Sequence, residues 1–508
     1  MNDHAHQMLS LDGAFPQNLV AGQPDAITPI VMPLRDGDVL PLWIGSVRKR
    51  VAGRPVRMLA YNESVPGPLL RVAQESEITV AVSNNAGLEQ TVHWHGLRLQ
   101  NRYDGVPYET QEPIPVGGSF AYRLQFPDPG LYWYHPHIRE DYGQEMGLYG
   151  QIIVDPVDPG YWPPVNREIP LTLDDILITE TGVPAFQRSG PTHTMMGRYG
   201  TVLLVNGDTE PSFDVARGEV VRLYLTNTAN TRIFNATVTG ATLKLIGGDS
   251  GRYEFEKIVD SVMIAPSERA IVDVLFDHSG DAVLQHRTPD QTSTLATFTI
   301  TADAVGTSFA EAYRTLRTDP ELAAERARLG AHIDRPADKT LVFLGEMDMS
   351  DHDMAGRQHQ RMDAGDGIEW EDTMPEMNLM SNRSTMHWKI VDTATRAVNE
   401  EIAWAFHVGD RVKIRLDNSA GSDHPMHHPF HIHGAGRFLV LNRDGVPESN
   451  LVWKDTVLVR AGEVVSILLD VTKPGRWMAH CHIAEHNESG MMFSFDVLPA
   501  TGRPQASR

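Results

Sequence analysis

The sequence predicts an all-β chain of three tandem Greek-key β-sandwich domains, and three observations point there. A period-two run closing on asparagine occurs three times, at Glu75–Asn84, Gly218–Asn227 and Gly409–Asn418. A second pattern follows each copy: an alternating strand, a Pro or Gly turn, then another strand, from Gly118 to His137, Ser267 to His286 and Gly462 to His482. The texture turns helical only between the second and third copies. Apolar–polar alternation marks a strand with one buried face, and ordered recurrence of two such patterns marks a repeated architecture.

In chain order, the first sandwich is expected over residues 1–158, the second over 159–303 and the third over 338–508, with a helical linker at 304–337. Within the linker, Phe309–Leu316 and Asp319–Leu329 carry the helical texture. Asp319 stands at an N-cap, Pro320 at the first helical position and Gly330 after the last turn, so a short surface helix is predicted there.

A length of 508 residues with 41% hydrophobic content supplies several cores. The 44 basic residues against 66 acidic ones leave a net charge of −22. That balance disfavours nucleic acid and anionic membrane surfaces and suits neutral or cationic substrates. No run approaches the ~20 apolar residues of a membrane span. Met1–Gln7 shows no basic segment leading into an apolar one, so the expectation is a cytoplasmic protein or the mature form of an exported one. A monomer is expected. Cys481 is the single cysteine, which excludes an intrachain disulfide and leaves the redox compartment open.

That cysteine lies between two histidines, His480 and His482. Strand alternation points both imidazoles one way and the thiol the other, so one tripeptide can serve metals on two sides of a sheet. The thiolate, with His486 and Met491 downstream, supplies a trigonal Cys/His/His set with a weak axial thioether, which suits copper in one-electron transfer. Three further clusters are His93-Trp94-His95-Gly96, His135-Pro136-His137 and His428-Pro429-Phe430-His431-Ile432-His433-Gly434. In each His-x-His pair both rings share a strand face, so two pairs from the first domain and two from the third can converge across an interface. Eight imidazoles result: His93, His95, His135, His137, His431, His433, His480 and His482. They are the right supply for three metals around a small ligand. An isolated histidine is more often structural, but four clusters at ligand spacing outweigh that reading.

On these four motifs the chain resembles the multicopper oxidases, in particular the three-domain bacterial laccases and copper-efflux oxidases, from about residue 40 to 499. The family pattern His-Cys-His-x-x-x-His-x-x-x-Gly-Met is matched from His480 to Met491. The resemblance implies cupredoxin-like sandwiches and four copper ions. It assigns a type 1 copper to His428, Cys481 and His486 with Met491 axial, and a type 2 copper to His93 and His431. It assigns the type 3 pair to His95, His135 and His482 on one side and His137, His433 and His480 on the other. It also implies that donors lose electrons singly at the type 1 site and that four electrons reduce O2 to water at the trinuclear centre, with Cys481 linking the two. Asp104 and Glu485 resemble the family's proton-handling carboxylates; the plainer alternative for each is a salt bridge or cap. The middle domain carries no motif. Its equivalent position holds only His286, read as structural, and the domain itself reads as a spacer.

Three function classes follow from the resemblance: a laccase-like oxidase of phenols and aromatic amines, a metallo-oxidase of Cu(I), Fe(II) or Mn(II), and a non-enzymatic copper-binding scaffold. Scaffold relatives lose ligands and this chain has lost none. Phenol oxidation is the leading expectation, because an exposed type 1 site accepts many donors. Eight of the 20 methionines fall between Gly345 and Met386, interspersed with His352 and His359. Thioether and imidazole suit Cu(I), and the stretch resembles a shortened form of the Met-rich insert of copper-efflux oxidases; the alternative is gap-filling between strands. Asp423, His424 and Met426 precede His428 as an accessory metal set or, more simply, the rim of an organic-substrate pocket. An axial Met491 argues against the highest redox potentials.

Overall fold

The computed structural model describes residues 13–15, 18–348, 365–419 and 421–500. Within them lie six β-sheets in three successive pairs. A four-stranded and a five-stranded sheet occupy residues 31–155, a six- and a five-stranded sheet 167–304, and another six- and five-stranded pair 339–498. Each pair encloses its own apolar core. The architecture is the cupredoxin-like all-β one. Among the described residues no helix is long and apolar enough to cross a membrane.

The repeated strand holds the same station in every unit. Glu77–Asn84, Glu219–Asn227 and Arg411–Asp417 each pair parallel with an earlier strand on one side and antiparallel with a later one on the other. In the first, Ile78, Val80 and Val82 are buried while the alternate residues are more open, as a strand with one core face requires.

The asparagine closing each copy has a common task. The Asn84 amide donates to the carbonyls of Leu88 and Ile114 at 2.9 and 2.8 Å and accepts from the Ala86 N–H. Asn227 donates to Arg232 and Ile264 at 2.7 and 2.8 Å and accepts from Ala229. Asn418 donates to Met426 and Arg460 at 2.7 and 3.0 Å. Each amide ties the loop leaving its strand to a second, distant loop, satisfying buried carbonyls that no ladder reaches.

The linker helix runs Pro320–Ile333, with Asp319 accepting from the Glu321 and Leu322 N–H groups. Gly330 does not end it, because tertiary contacts carry the helix one turn further: Leu322 and Leu329 bury with Leu439, Leu441, Leu451 and Leu468 of the third unit. The helix is thus packed along one side rather than lying free on the surface.

Replacing Asn227 with Ala removes one hydrogen bond from each of two carbonyls and one from an N–H. Equilibrium denaturation should show a loss of about 2–4 kcal/mol, on the scale of leaving such groups unsatisfied; an unchanged midpoint would refute the clamp.

Candidate metal centre

Strand Val92–His95 pairs antiparallel with Gly130–Pro136, bringing His93 opposite His135. In the third unit, His428–Ile432 pairs with Gly475–Cys481, bringing His431 opposite His480. All seven residues of Gly130–Pro136 are buried. One face of the strand lies on its own core, and the His135 face turns toward the third unit. The eight imidazoles meet there: His93, His95 and His431 form one close group, His95, His135 and His482 a second, and His137, His433 and His480 a third, with ligand atoms within 4.8 Å in each.

On the other side of the last strand, Cys481 Sγ lies 3.4 Å from His428 Nδ1 and 3.7 Å from His486 Nδ1. His480 and His482 have ring centroids 5.1 Å apart on the opposite side. The alternation expected of the tripeptide is therefore the arrangement found. Met491 is fully buried beside this second group. Its main chain closes the loop, donating to the His486 carbonyl at 3.0 Å and accepting from the Cys481 N–H at 3.1 Å.

In most of the imidazoles one nitrogen is anchored and the other is left free, His482 being the exception with neither nitrogen bonded. His93 Nδ1 donates to the Asp104 carbonyl at 2.7 Å, His135 Nδ1 to that of Pro136 at 2.9 Å and His431 Nδ1 to that of Asp455 at 2.9 Å. The Nε2 atoms of these three rings are buried without a hydrogen-bond partner, as are His95 Nδ1, His137 Nε2 and both nitrogens of His482. His433 and His480 give the sharper test. His433 Nδ1 donates to Asp104 Oδ2 at 2.7 Å and His480 Nδ1 to the Cys481 carbonyl at 2.9 Å, so both Nε2 atoms carry lone pairs, yet they face each other at 3.1 Å. Burial pushes the His480 pKa down to about 4 and that of His433 well below the usual range, its neighbour His480 adding to the effect. Two anchored rings turning their free nitrogens toward each other suit a cation held between them. Burial likewise pushes the Cys481 thiol up, so its ionisation requires a metal partner. The residues fit a group of soft and borderline metal ions.

Two aspartates organise the larger cluster. Asp104 takes His93 on its main-chain carbonyl and His433 on its carboxylate. Asp455 takes His431 on its carbonyl and His95 Nε2 on Oδ1 at 2.9 Å. Asp104 is fully buried, and burial, partly opposed by His93, raises its pKa to about 6. Asp455 is instead clasped by both terminal nitrogens of Arg269, at 2.7 and 2.5 Å. Gly96, in a left-handed conformation, passes so close that a Cβ there would meet Asp455 Oδ2 at 2.5 Å and Arg269 Nη2 at 2.8 Å, which is why glycine follows the first His-x-His.

Glu485 is buried; its Oε1 accepts from Asn230 Nδ2 at 3.1 Å and its Oε2 from Thr231 Oγ1 at 3.3 Å. Burial, with Asp141 nearby, raises its pKa to about 7. Asn230, Thr231 and Arg269 all belong to the middle unit, which thus supplies the surroundings of the site and is not a spacer. His286 stands outside the metal groups, its Nδ1 accepting from the Asn235 N–H at 3.1 Å.

The middle unit also covers the cysteine site. His428 and His486 are fully buried, so the exposed site expected from the sequence is not found. The Trp388 indole stacks on His486 at 4.1 Å and meets His428 edge-on at 5.0 Å. Its Nε1 donates to the Thr194 carbonyl at 2.6 Å. The adjoining Met195 and Met196 N–H groups donate to Ser381 Oγ and Asn378 Oδ1, and Asn378 Nδ2 donates to the Gly197 carbonyl. Helix Pro375–Met380 is thereby pinned over the loop, with Met374 half-buried beside it and Met377 and Met380 exposed. Met349, His352, Met354, His359 and Met362 lie outside the described residues. Of the accessory trio, Asp423 is engaged with the Gly345 carbonyl and the Met347 N–H, Met426 is core, and His424 stands 6.4 Å from the Trp388 ring.

Sequence reasoning missed Asp455, Arg269, Glu140, Trp133, which stacks on His135 at 4.2 Å, and Trp388. Only Asp455 had a local signal, since the residue after it opens the strand that pairs with His428–Ile432.

Comparison with known proteins agrees with the chemistry of the donor set. Family models described as multicopper oxidase match residues 45–158 and 370–501. The multicopper oxidase MmcO of Mycobacterium tuberculosis is 26% identical, over 88% of this chain and 84% of that protein. A laccase-like multicopper oxidase, CueO, from Ochrobactrum sp., with oxidase activity towards lignin model compounds and lignosulfonate, superposes with a TM-score of 0.69 at 22% identity, over 93% of this chain and all of that one. A Campylobacter jejuni multicopper oxidase described as a metallo-oxidase gives 0.68 at 21%, over 94% and 98%. The two matched segments hold all the clustered ligands: the chain carries two multicopper oxidase domains and is an oxidoreductase whose metal is copper.

Proposed function

We propose that the chain is a laccase-like oxidase that takes electrons singly from small donors and passes them to O2, reduced to water. The observation that carries this is the position of Cys481: its Sγ belongs to one ligand group while the imidazoles on either side of it belong to the other. His428, Cys481 and His486, with Met491, would hold a type 1 copper. His93 and His431 would hold the type 2 ion, and His95, His135, His482 and His137, His433, His480 the type 3 pair. Copper so bound supplies one-electron redox capacity at the first group and O2 reduction at the second. The chain's own part is to link them. The Cys481 side chain and carbonyl lead to His480 Nδ1 across one 2.9 Å hydrogen bond, a path shorter than the covalent one. Glu485, held by Asn230 and Thr231, can carry protons toward the O2-reducing group, and Asp104 holds His433 and His93 in place.

Glu485→Gln should keep copper content and allow the blue chromophore to bleach with reductant, while its reoxidation by O2 slows by tenfold or more, the scale of losing a positioned proton carrier. Reoxidation at the wild-type rate in stopped-flow measurements would exclude the relay.

For the donor, phenols and aromatic amines remain the leading reading. The cover over His486 favours the second, a metallo-oxidase of Cu(I) or Fe(II), because it bars bulky rings from the imidazole edge and presents thioethers from Met374, Met377 and Met380. Steady-state turnover on a methoxyphenol and on Cu(I), with and without added Cu(II), separates the two; activation of phenol oxidation by extra copper supports the metal donor. If the cover limits access, Asn378→Ala should raise kcat/KM for the methoxyphenol severalfold without altering the blue band. An unchanged value would show that donors deliver electrons across a closed cover.

A further inference from the structure

The two halves of the type 3 pair are not held alike. At the His137, His433, His480 position, two of the three rings face buried carboxylates: Asp104 Oδ2 at 2.7 Å from His433 Nδ1, and Glu140 Oε1 at 3.2 Å from His137 Nδ1. At the His95, His135, His482 position a single carboxylate, Asp455, touches a ring, and Arg269 neutralises it. Glu140 is completely buried. It follows Arg139, whose left-handed backbone turns the chain back toward His137. Two contacts with the helix Ala484–Glu488 fix it: Asn487 Nδ2 donates to its Oε1 at 3.1 Å, and its N–H donates to Glu488 Oε1 at 2.9 Å. Its Oε2 has no partner. A buried carboxylate with one oxygen against a ligand imidazole and the other unused is a poor structural element, since its desolvation is repaid only by a nearby positive charge.

We propose that Glu140 is a positioning residue for this half of the pair. It fixes the His137 ring with Nε2 free and, together with Asp104 on His433, makes this the more tightly held copper of the two. The inference rests on the copper assignment above. It concerns holding the ion, with no electron or proton step of its own.

The test uses the full-length, copper-loaded protein and the variants Glu140→Ala and Glu140→Gln. Copper per chain is measured after equilibration with graded bathocuproine disulfonate and ascorbate, beside near-ultraviolet absorption of the coupled pair, EPR-detectable copper and the blue band. Glu140→Ala should release one copper at a 10–100-fold lower chelator concentration, the usual cost of removing such a carboxylate partner. The near-ultraviolet absorption should fall and one further copper should become EPR-visible, with the blue band intact. Glu140→Gln, which keeps an oxygen toward His137 without the charge, should be intermediate. Copper loss in Glu140→Gln equal to that in Glu140→Ala would overturn the role of the oxygen that faces His137. Four retained coppers in Glu140→Ala, or parallel loss of the blue band and the pair, would overturn the positioning role. A wild-type protein that forms no coupled pair would instead sink the copper assignment itself.

Discussion

The cluster of eight imidazoles depends on two buried aspartates that each hold one ring from either side of a domain interface. Asp104, from the first unit, binds His93 of its own unit and His433 of the third; Asp455, from the third, binds His431 of its own and His95 of the first. The pattern is reciprocal, as expected where two copies of one fold face each other. Each aspartate uses its main chain for the near ring and its carboxylate for the far one. Loss of either carboxylate would unpair the ring it reaches across the interface, while the near ring keeps its main-chain partner. At Asp455 the buried ion pair with Arg269 would be broken as well, at a cost on the order of 3–5 kcal/mol.

The middle unit has no ligands among the clustered histidines, yet it touches each functional group. Arg269 neutralises Asp455, Asn230 and Thr231 hold Glu485, and the Thr194–Gly197 loop lies over Trp388 and His486. Copper chemistry is thus divided from its control. The outer units provide the clustered ligands, while the middle one pairs with Asp455, holds Glu485 and lies over Trp388.

Much of this was legible in the sequence because it is local. The His-Cys-His tripeptide, the His-x-His pairs and the repeated strands rely on period-two geometry, which neighbouring residues alone determine. Even the closing asparagines stood out, although their shared work as loop clamps needed coordinates. What remained hidden joins residues far apart in the chain: His433 to Asp104 across 329 positions, His95 to Asp455 across 360 and Asn230 to Glu485 across 255. No spacing rule reaches so far. Gly330 misled for a related reason, since burial against the third unit outweighs glycine's weak preference to end a helix. The cover escaped notice because Trp388 and Thr194 are ordinary residues apart from the contact they make.

The cover is held by side-chain to main-chain hydrogen bonds at Asn378, Ser381 and Trp388, an arrangement that can release locally while the sandwiches stay folded. A donor that must touch His486 then waits on an event internal to the protein. If opening is required, turnover of such a donor would level off at a ceiling set by the loop, commonly on the order of microseconds to milliseconds. Donors that deliver electrons from outside would meet no such ceiling and would stay ranked by their driving force.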